Sequence, residues 1–356
     1  MENYTIKKWD DLDLKTDLLR GIYSYGFENP SEIQQLAIYP IIQKHDVIAQ
    51  AQSGTGKTGT FSISAIQNTD ISINETQVLI IAPTRELVIQ ISKVIQGISI
   101  FTEGLKVKTL VGGTNVNDDI NYFKNNTPHI VIGCPGRVHD MLRRKYLKTD
   151  EISLLVLDEA DEMLSSGFKE QIYHIFQFLN NSVQVGLFSA TFPAELHTLT
   201  SKFMRDPIQI LVKQEQLTLQ GIRQYYVSLD NDEQKFAALK DLFSTISISQ
   251  SIIYCNSKKI VDEIHHKLTS KNFTVTSIHS DMPQAERTRI VNEFRNGESR
   301  ILLSTDLLSR GIDVQQVSVV INYDVPSNVD NYIHRIGRSG RFGRKGVAIN
   351  FVTVTD

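Results

Sequence analysis

The residues most suited to chemistry form a glycine-rich loop that ends in Gly-Lys-Thr. Residues 51–58 are Ala-Gln-Ser-Gly-Thr-Gly-Lys-Thr, and they follow a short apolar run, residues 47–49. Gly54 and Gly56 allow backbone N–H groups to turn inward around phosphates, and a helix can follow from Thr58. In such a loop Lys57 places a positive charge near the β- and γ-phosphates, and the Thr58 hydroxyl binds Mg²⁺. The pattern predicts a nucleoside-triphosphate site. Because Ala51 stands where the strict pattern has Gly, a chance Gly-Lys-Thr in a surface turn is the alternative.

A second motif supplies carboxylates. Residues 154–157 form a continuous apolar strand of the kind buried in a parallel sheet, and Asp158-Glu159-Ala160-Asp161 follows directly. Ligands of α/β proteins bind at the carboxyl ends of strands. Asp158 is therefore predicted to hold Mg²⁺, and Glu159 to orient and deprotonate an attacking water. The alternative is an acidic, solvated helix start.

Length and composition indicate a two-domain globular protein. At 356 residues the chain exceeds the size at which one hydrophobic core usually keeps growing. No apolar stretch approaches the roughly 18 residues of a membrane span, and the N-terminus lacks the apolar core of a signal peptide. We expect a cytoplasmic protein, with the nucleus as the alternative, and no membrane partner. Cys134 and Cys255 fit neither a disulfide framework nor a zinc spacing.

Charge gives only a local sign of nucleic-acid binding. The net charge of −3 excludes a strongly basic chain, so any such binding must come from clusters. One cluster lies late in the chain: Arg335, Arg338, Arg341, Arg344 and Lys345. Interspersed glycines predict that part of this run is loop, and a solvated basic face is the alternative interpretation.

The order of apolar runs predicts two α/β domains, each with a parallel sheet. Clear strands in the first half are 78–82, 130–133, 154–157 and 185–188; those in the second half are 251–254, 274–278, 301–303, 317–322 and 347–352. We place the first domain at 1–211, a polar linker at 212–221 and the second domain at 222–356. Only the first half has a phosphate loop, so we expect arginines of the second domain to reach the γ-phosphate when the domains close.

Taken in order, the motifs resemble those of the DEAD-box ATP-dependent RNA helicases over nearly the whole chain. The matching segments are 26–34, 51–58, 83–87, 112–113, 135–137, 158–161, 189–191, 304–313 and 334–341. Segments 18–38 and 311–346 are most similar to the subgroup of eukaryotic translation initiation factor 4A. The resemblance implies two tandem RecA-like domains, each a parallel sheet with helices on both faces, in a monomer that uses ATP and Mg²⁺.

The resemblance also implies roles at the nucleotide site. Gln34 is expected to recognise the adenine edge, with Trp9 in place of the family's upstream aromatic that packs at the base. The implied nucleotide contacts are Trp9, Gln34, Ser53, Gly54, Thr55, Gly56, Lys57, Thr58 and Asp313. The implied catalytic residues are Glu159, Lys57, His334, the two arginine fingers Arg338 and Arg341, and Ser189 and Thr191, which link hydrolysis to duplex opening. The implied Mg²⁺ ligands are Thr58 and Asp158. Taken singly, Gln34 has the alternative of a surface helix position, and Ser189 and Thr191 that of capping the next helix.

RNA contacts are implied in both domains. The matching positions are Thr84, Arg85, Gly113 and Arg137 in the first domain and Gln284, Arg287 and Thr305 in the second. Contacts to sugar and phosphate position a strand without identifying its bases, and contacts to 2′-hydroxyls select RNA. Arg137 alone is equally consistent with a salt bridge. Cys134 departs from the family pattern, which has Thr before Pro-Gly-Arg, and so removes one hydroxyl contact to phosphate. The chain also ends before the usual end of initiation-factor homologues, so we expect no closing helix.

We predict an ATP-dependent RNA helicase that locally unwinds short RNA duplexes, in translation initiation or RNA metabolism, with single-stranded RNA and a scaffold protein of initiation-factor type as partners. The alternative is an ATP-dependent RNA clamp that serves as a platform for protein assembly. A DNA helicase fits less well, because the motif set resembles RNA-directed proteins.

Overall fold

The computed structural model describes residues 6–51, 54–165, 167–211, 222–245, 249–306, 317–339 and 346–354. The chain divides into two compact units between Gln214 and Glu215. Each unit contains one parallel sheet, which confirms the predicted pair of α/β domains. The predicted linker, 212–221, lies outside the described residues, so its bounds stay a prediction.

The first unit is built on a seven-stranded sheet in the order β3-β4-β2-β5-β6-β1-β7, with every described pairing parallel. Its strands are β1 Val47–Gln50, β2 Val78–Ile81, β3 Val107–Leu110, β4 Ile130–Gly133, β5 Leu154–Asp158, β6 Gln184–Ser189 and β7 Ile208–Leu211. Its helices are a 3-10 turn Trp9–Asp11, α1 Thr16–Ser24, α2 Glu32–Ile42, α3 Lys57–Asn68, α4 Arg85–Ile98, α5 Val116–Asn125, α6 Pro135–Arg143, α7 Ala160–Ser165, α8 Lys169–Phe178 and α9 Ala194–Phe203.

The second unit has a six-stranded sheet in the order β10-β11-β9-β12-β13-β8, and these pairings are also parallel. Its strands are β8 Ile222–Ser228, β9 Ser251–Tyr254, β10 Val275–Ile278, β11 Ile301–Ser304, β12 Val319–Asn322 and β13 Gly346–Val352. Its helices are α10 Glu233–Thr245, α11 Lys258–Thr269, α12 Gln284–Arg295 and α13 Val329–Ile336.

Alternation along the central strands explains why helices cover both faces of each sheet. In β2, Val78 and Ile80 join one hydrophobic core, whereas Leu79 and Ile81 join the core on the other face. All four side chains are fully buried. A strand buried on both faces needs apolar residues at every position, which is why the sequence shows a continuous run there.

β1 was recognised only as the apolar run at 47–49, and three strands have no counterpart in the sequence analysis: β3, β7 and β8. All three lie at sheet edges, and β8 is exposed over most of its length. Edge strands are covered less completely, so their sequences lack the unbroken apolar run that marks a central strand. In the part of the chain that the structure describes, no helix is long and apolar enough to cross a membrane.

Candidate functional site

The phosphate loop has the backbone of an anion-binding turn. Gly54 and Gly56 have φ of 81° and 107°, in the left-handed region that glycine adopts without strain. Gly56 precedes α3, and the first turn of that helix has no side-chain cap. Its N–H groups and the positive end of the helix dipole therefore suit a phosphate. A Cβ atom on Gly56 would lie only 2.5 Å from Ser31 Oγ, so the loop also depends on glycine for packing.

Lys57 is buried at the start of α3 beside the acidic motif. Its Nζ lies 3.7 Å from Glu159 Oε1, and both side chains are almost fully enclosed. Among the described residues, Lys57 Nζ has no hydrogen-bond partner. A buried ammonium with unused donors fits an anionic ligand, because a buried charge otherwise costs desolvation free energy. This geometry argues against a chance Gly-Lys-Thr in a surface turn.

The acidic motif is buried rather than solvated. Asp158 ends β5, and Glu159 lies between β5 and α7 with φ of 49°, which is unusual for a residue other than glycine. Asp158, Glu159 and Asp161 are 2%, 4% and 3% exposed. The alternative of a solvated helix start is therefore wrong. Backbone strain of this kind is found at functional sites, where it fixes the direction of a side chain.

Burial and the neighbouring Glu159 carboxylate raise the pKa of Asp158 to about 7, against the lowering effect of Lys57. A bound cation would reverse this trend by favouring the ionised carboxylate. The chemistry of the site thus fits a divalent ion held by Asp158 and by the half-buried Thr58 hydroxyl. These are the ligands that the sequence predicts for Mg²⁺.

Ser189 and Thr191 are joined to the acidic motif. Thr191 Oγ1 donates to Asp161 Oδ2 at 2.5 Å, and the Asp161 N–H donates to Ser189 Oγ at 3.4 Å. Helix α9 begins at Ala194 and has no side-chain cap, so neither residue caps it. The structure thus brings the motif at 189–191 into direct contact with the motif at 158–161.

Gln34 lies against the phosphate loop. Its Oε1 accepts from Ser31 N–H at 2.7 Å, and its Nε2 donates to Gly56 O at 3.2 Å. At 4% exposed it is not a surface glutamine, so that alternative is wrong. Its predicted adenine contact stays a prediction.

Trp9 does not lie where a base can pack on it. Its ring is fully buried, and its Nε1 donates to Phe27 O at 2.8 Å. The prediction that Trp9 packs at the base is therefore wrong: the indole stacks behind Phe27, with 6.5 Å between the ring centroids. Phe27 is half-buried and packs closely against the first turn of α3: a Cβ atom added to Gly59 would lie 3.2 Å from Phe27 Cε2. Sequence reasoning missed Phe27, although it lies inside the 26–34 motif.

Three of the predicted RNA contacts in the first unit surround the turn at 112–113. Thr84 caps α4 by accepting from Leu87 N–H, and Arg85 Nη1 donates to Gly112 O at 3.1 Å. Gly113 has φ of 75°, and a Cβ there would meet Arg85 Nη1 at 3.6 Å. The structure brings these three residues together at one surface.

Arg137 belongs to a salt bridge in this structure. Its Nη1 lies 2.5 Å from Asp119 Oδ2, and Asp119 Oδ1 lies 2.8 Å from Lys108 Nζ. The salt-bridge alternative is therefore correct for Arg137, and a phosphate contact stays a prediction.

Cys134 precedes α6 and provides no side-chain cap to it. Burial raises the pKa of its thiol to about 12. At neutral pH the group is a protonated thiol, which is a weak hydrogen-bond donor. No phosphate contact from this side chain is expected.

In the second unit the predicted RNA contacts lie on two elements. Thr305 follows β11 and is half-buried, and Arg287 is half-buried on α12, which begins at Gln284. The predicted residues Ser53, Asp313 and Arg341 lie outside the described residues.

The described part of the late basic cluster is buried. Arg335 is fully enclosed on α13: its guanidinium donates to Asp306, Asn256 and the Asp324 carbonyl, with the Asp306 bonds at 2.6 and 3.1 Å. Arg338 is also buried, and its Nε donates to the carbonyl of the buried His334 at 3.3 Å. A solvated basic face is therefore wrong for Arg335 and Arg338. Sequence reasoning missed Arg335 as the residue that joins α13 to the end of β11.

Two family models match most of this chain. Residues 31–199 match the family described as DEAD/DEAH box helicase, and residues 234–343 match the helicase conserved C-terminal domain. The ATP-dependent RNA helicase eIF4A of Pyricularia oryzae is 57% identical over 352 residues, which cover 99% of this chain and 88% of that protein.

Solved structures show the same architecture. S. cerevisiae Dbp5 bound to RNA and ADP BeF3 has a TM-score of 0.89 and 36% identity, and the match covers 98% of this chain and 90% of that one. A Dbp5 variant bound to a Gle1 variant and IP6 has a TM-score of 0.79 and 36% identity, with 98% and 89% covered. The likeness extends over both units.

Proposed function

The chain belongs to the DEAD-box family of ATP-dependent RNA helicases, and from this membership we propose that it separates short RNA duplexes locally during translation initiation. It is an RNA-stimulated ATPase similar to eIF4A. The observation that carries the proposal is the joining of three motifs in the first unit: Lys57 lies beside Glu159, and Asp161 bonds both Ser189 and Thr191.

The proposed chemistry follows from these positions. The amides at the start of α3 and the Lys57 ammonium bind the phosphates of ATP and stabilise charge on the transferring group. Thr58 and Asp158 would hold Mg²⁺, which when bound would supply further positive charge at the phosphate oxygens. Glu159 orients a water and accepts its proton, a role for which its fixed, strained backbone is suited. We assign Gln34 and Phe27 to the base, Asp313 to the ribose, and His334, Arg338 and Arg341 to assistance from the second unit.

RNA binding completes the proposal. Thr84, Arg85, Gly113 and Arg137 hold the strand in the first unit, and Gln284, Arg287 and Thr305 hold it in the second. Contacts of this kind bind sugar and phosphate and are tolerant of sequence. The bonds from Ser189 and Thr191 to Asp161 give hydrolysis a direct physical connection to the rest of the first unit.

The buried Glu159 favours an enzyme that turns over, rather than a static clamp. We propose that the protein works in the cytoplasm as a monomer with a scaffold protein of initiation-factor type. The relative Dbp5, solved with Gle1, supports the idea of a protein partner.

The proposal is tested by measuring ATP hydrolysis with no nucleic acid, with single-stranded RNA and with DNA of matched sequence. We expect stimulation by RNA alone, together with strand separation of a short RNA duplex that requires ATP. Equal stimulation by DNA would contradict RNA specificity. ATP-dependent RNA binding without strand separation would favour the clamp.

A further inference from the structure

Arg137 is held by a buried carboxylate that has no assigned role. Asp119 is 5% exposed on α5, and its two oxygens bind two cations: Oδ2 lies 2.5 Å from Arg137 Nη1 and Oδ1 lies 2.8 Å from Lys108 Nζ. These cations come from α6 and β3. One carboxylate therefore joins α5, α6 and β3. Two predicted RNA contacts belong to this region: Arg137 lies on α6, and Gly113 lies between β3 and α5.

The bonds of Arg137 all lie on one side of its guanidinium. Nη1 donates to Thr114 Oγ1 at 3.1 Å and to Asp119, and Nη2 donates to the Thr114 carbonyl at 2.8 Å. A guanidinium has five N–H donors. Nε–H and the second hydrogen of Nη2 bond to no described residue. Those two donors lie on one edge of the group, which is an arrangement suited to a bidentate phosphate contact.

We infer that Asp119 is a positioning residue for RNA binding: it fixes the Arg137 guanidinium so that the edge formed by Nε and Nη2 is presented to an RNA phosphate. The inference rests on the proposed function, since it needs RNA as the ligand. An arginine that is already immobilised loses less rotamer freedom when it binds. Lys108 neutralises the second oxygen of Asp119, and it is itself held over the Tyr122 ring at 4.7 Å.

Two effects of removing the Asp119 charge oppose each other. Without the carboxylate, the local positive charge rises, which attracts a phosphate more strongly at low salt. The guanidinium also loses its strongest anchor. We expect the loss of orientation to dominate near physiological salt, because the general attraction of a phosphate to positive charge weakens as salt rises, whereas a misdirected fork cannot make two bonds.

The test uses Asp119→Asn, which keeps the shape and one acceptor, in the full chain. RNA-stimulated ATP hydrolysis is titrated with single-stranded RNA at fixed saturating ATP. We expect the apparent KM for RNA to rise about fivefold, which is the effect of losing one charge-assisted contact to RNA. We expect kcat at saturating RNA to stay within about twofold of wild type, because the contact acts in RNA binding and not in the chemical step. Asp118→Asn, an exposed residue on the same helix, is the matched control for charge and is expected to behave as wild type.

A double-mutant cycle separates positioning from general damage. Arg137→Gln alone is expected to raise the KM for RNA about tenfold. It should also reduce the slope of log binding constant against log salt concentration by about one, the amount expected for one lost phosphate contact. If Asp119 acts through Arg137, adding Asp119→Asn to Arg137→Gln raises the KM no further. Additive effects, or tighter RNA binding by Asp119→Asn, would overturn the inference.

Folding is checked by thermal unfolding of each variant. Should Asp119→Asn fail to fold, Thr114→Val carries the test, because Thr114 is exposed; the change removes one acceptor from Arg137 and the bond from the Thr114 hydroxyl to the Val111 carbonyl. It is expected to raise the KM for RNA about twofold, and no rise would overturn the inference. If wild-type hydrolysis does not respond to RNA, the proposed function fails; if it does but Arg137→Gln binds RNA normally, only this inference fails.

Discussion

At the residue scale, Glu159 is the group whose chemistry is easiest to isolate. Glutamine at this position can still hold a water by hydrogen bonding but cannot accept its proton. We expect Glu159→Gln to lower ATP turnover by at least about a hundredfold, the lower end for loss of a general base, and to keep ATP and RNA binding. The neighbouring Glu162→Gln is the control and is expected to retain turnover. Unchanged hydrolysis by Glu159→Gln would exclude Glu159 as the base.

Cys134 supports a second prediction. Threonine is a good N-cap residue, whereas the buried, protonated thiol caps nothing. Cys134→Thr is therefore expected to stabilise the protein by about 1 kcal/mol through the cap on α6. It is also expected to tighten single-stranded RNA binding a few-fold with a non-hydrolysable ATP analogue, because a hydroxyl donates well to phosphate.

The two effects of Cys134→Thr are measured by thermal unfolding and by titration of labelled RNA at one fixed salt concentration. Cys134→Val has the shape of threonine without the hydroxyl, so it serves as the control and should show neither gain. RNA binding by the threonine variant that equals that of the valine variant would mean that the loop's backbone already supplies the contact.

Residue types at the nucleotide site were predictable from sequence, but their partners were not. Lys57 and Glu159 were identified by motif, and both follow the carboxyl ends of strands in one parallel sheet, β1 and β5, with β6 between them. Our proposal of Phe27 rather than Trp9 at the base depends on which of two stacked rings lies nearer to α3. That choice is made by tertiary packing, for which local sequence carries no signal.

At the scale of elements, the start of α3 depends on close packing against α2. A Cβ on Gly59 would lie 2.6 Å from Gln34 Nε2 and 3.2 Å from Phe27 Cε2. Gly59→Ala should displace both side chains and weaken ATP binding on the order of tenfold, as expected for overpacking of a fixed site. ATP binding without RNA measures the effect, and Gly136→Ala, where a Cβ meets nothing within 4 Å, is the control. Normal ATP affinity in a folded Gly59→Ala protein would argue that Gln34 and Phe27 do not hold the base.

Elements at the centre of each sheet were predictable because burial on both faces leaves a simple pattern. β4 and β9 were predicted to the residue, and β2 and β5 differ from the prediction by one residue at the carboxyl end. The strands that were missed lie at edges, although the edge strand β10 was predicted. β3 and β8 carry charged and polar residues, since one side of an edge strand has no neighbour to bury it. Helix α13 was obscured by a different cause, because Arg335 and the basic residues that follow the helix look like a solvated face until Asp306 and Asn256 are seen to pair with Arg335.

At the scale of the whole molecule, the phosphate loop and acidic motif belong to the first unit, whereas the predicted arginine fingers belong to the second. Arg338→Lys tests whether hydrolysis needs both units. A lysine keeps the charge but cannot reproduce the planar fork at a transferring phosphate, so we expect the rate of hydrolysis to fall on the order of a thousandfold. ATP affinity should stay within a modest factor, since the phosphate loop and the acidic motif, to which we assign phosphate and Mg²⁺ binding, lie in the first unit. Arg341→Lys is expected to behave in the same way.

Two further variants show whether that loss is specific. Arg295→Lys, an exposed arginine at the end of α12, is the control and should hydrolyse ATP at the wild-type rate. Arg335→Lys is expected to lower the unfolding temperature, because its guanidinium holds Asp306, Asn256 and the Asp324 carbonyl together within the second unit. Arg338→Lys should reduce the rate of hydrolysis, and comparing its unfolding temperature with that of Arg335→Lys separates an effect on catalysis from an effect on folding. A collapse of ATP affinity with the rate left intact would mean that Arg338 binds the nucleotide rather than acting in hydrolysis.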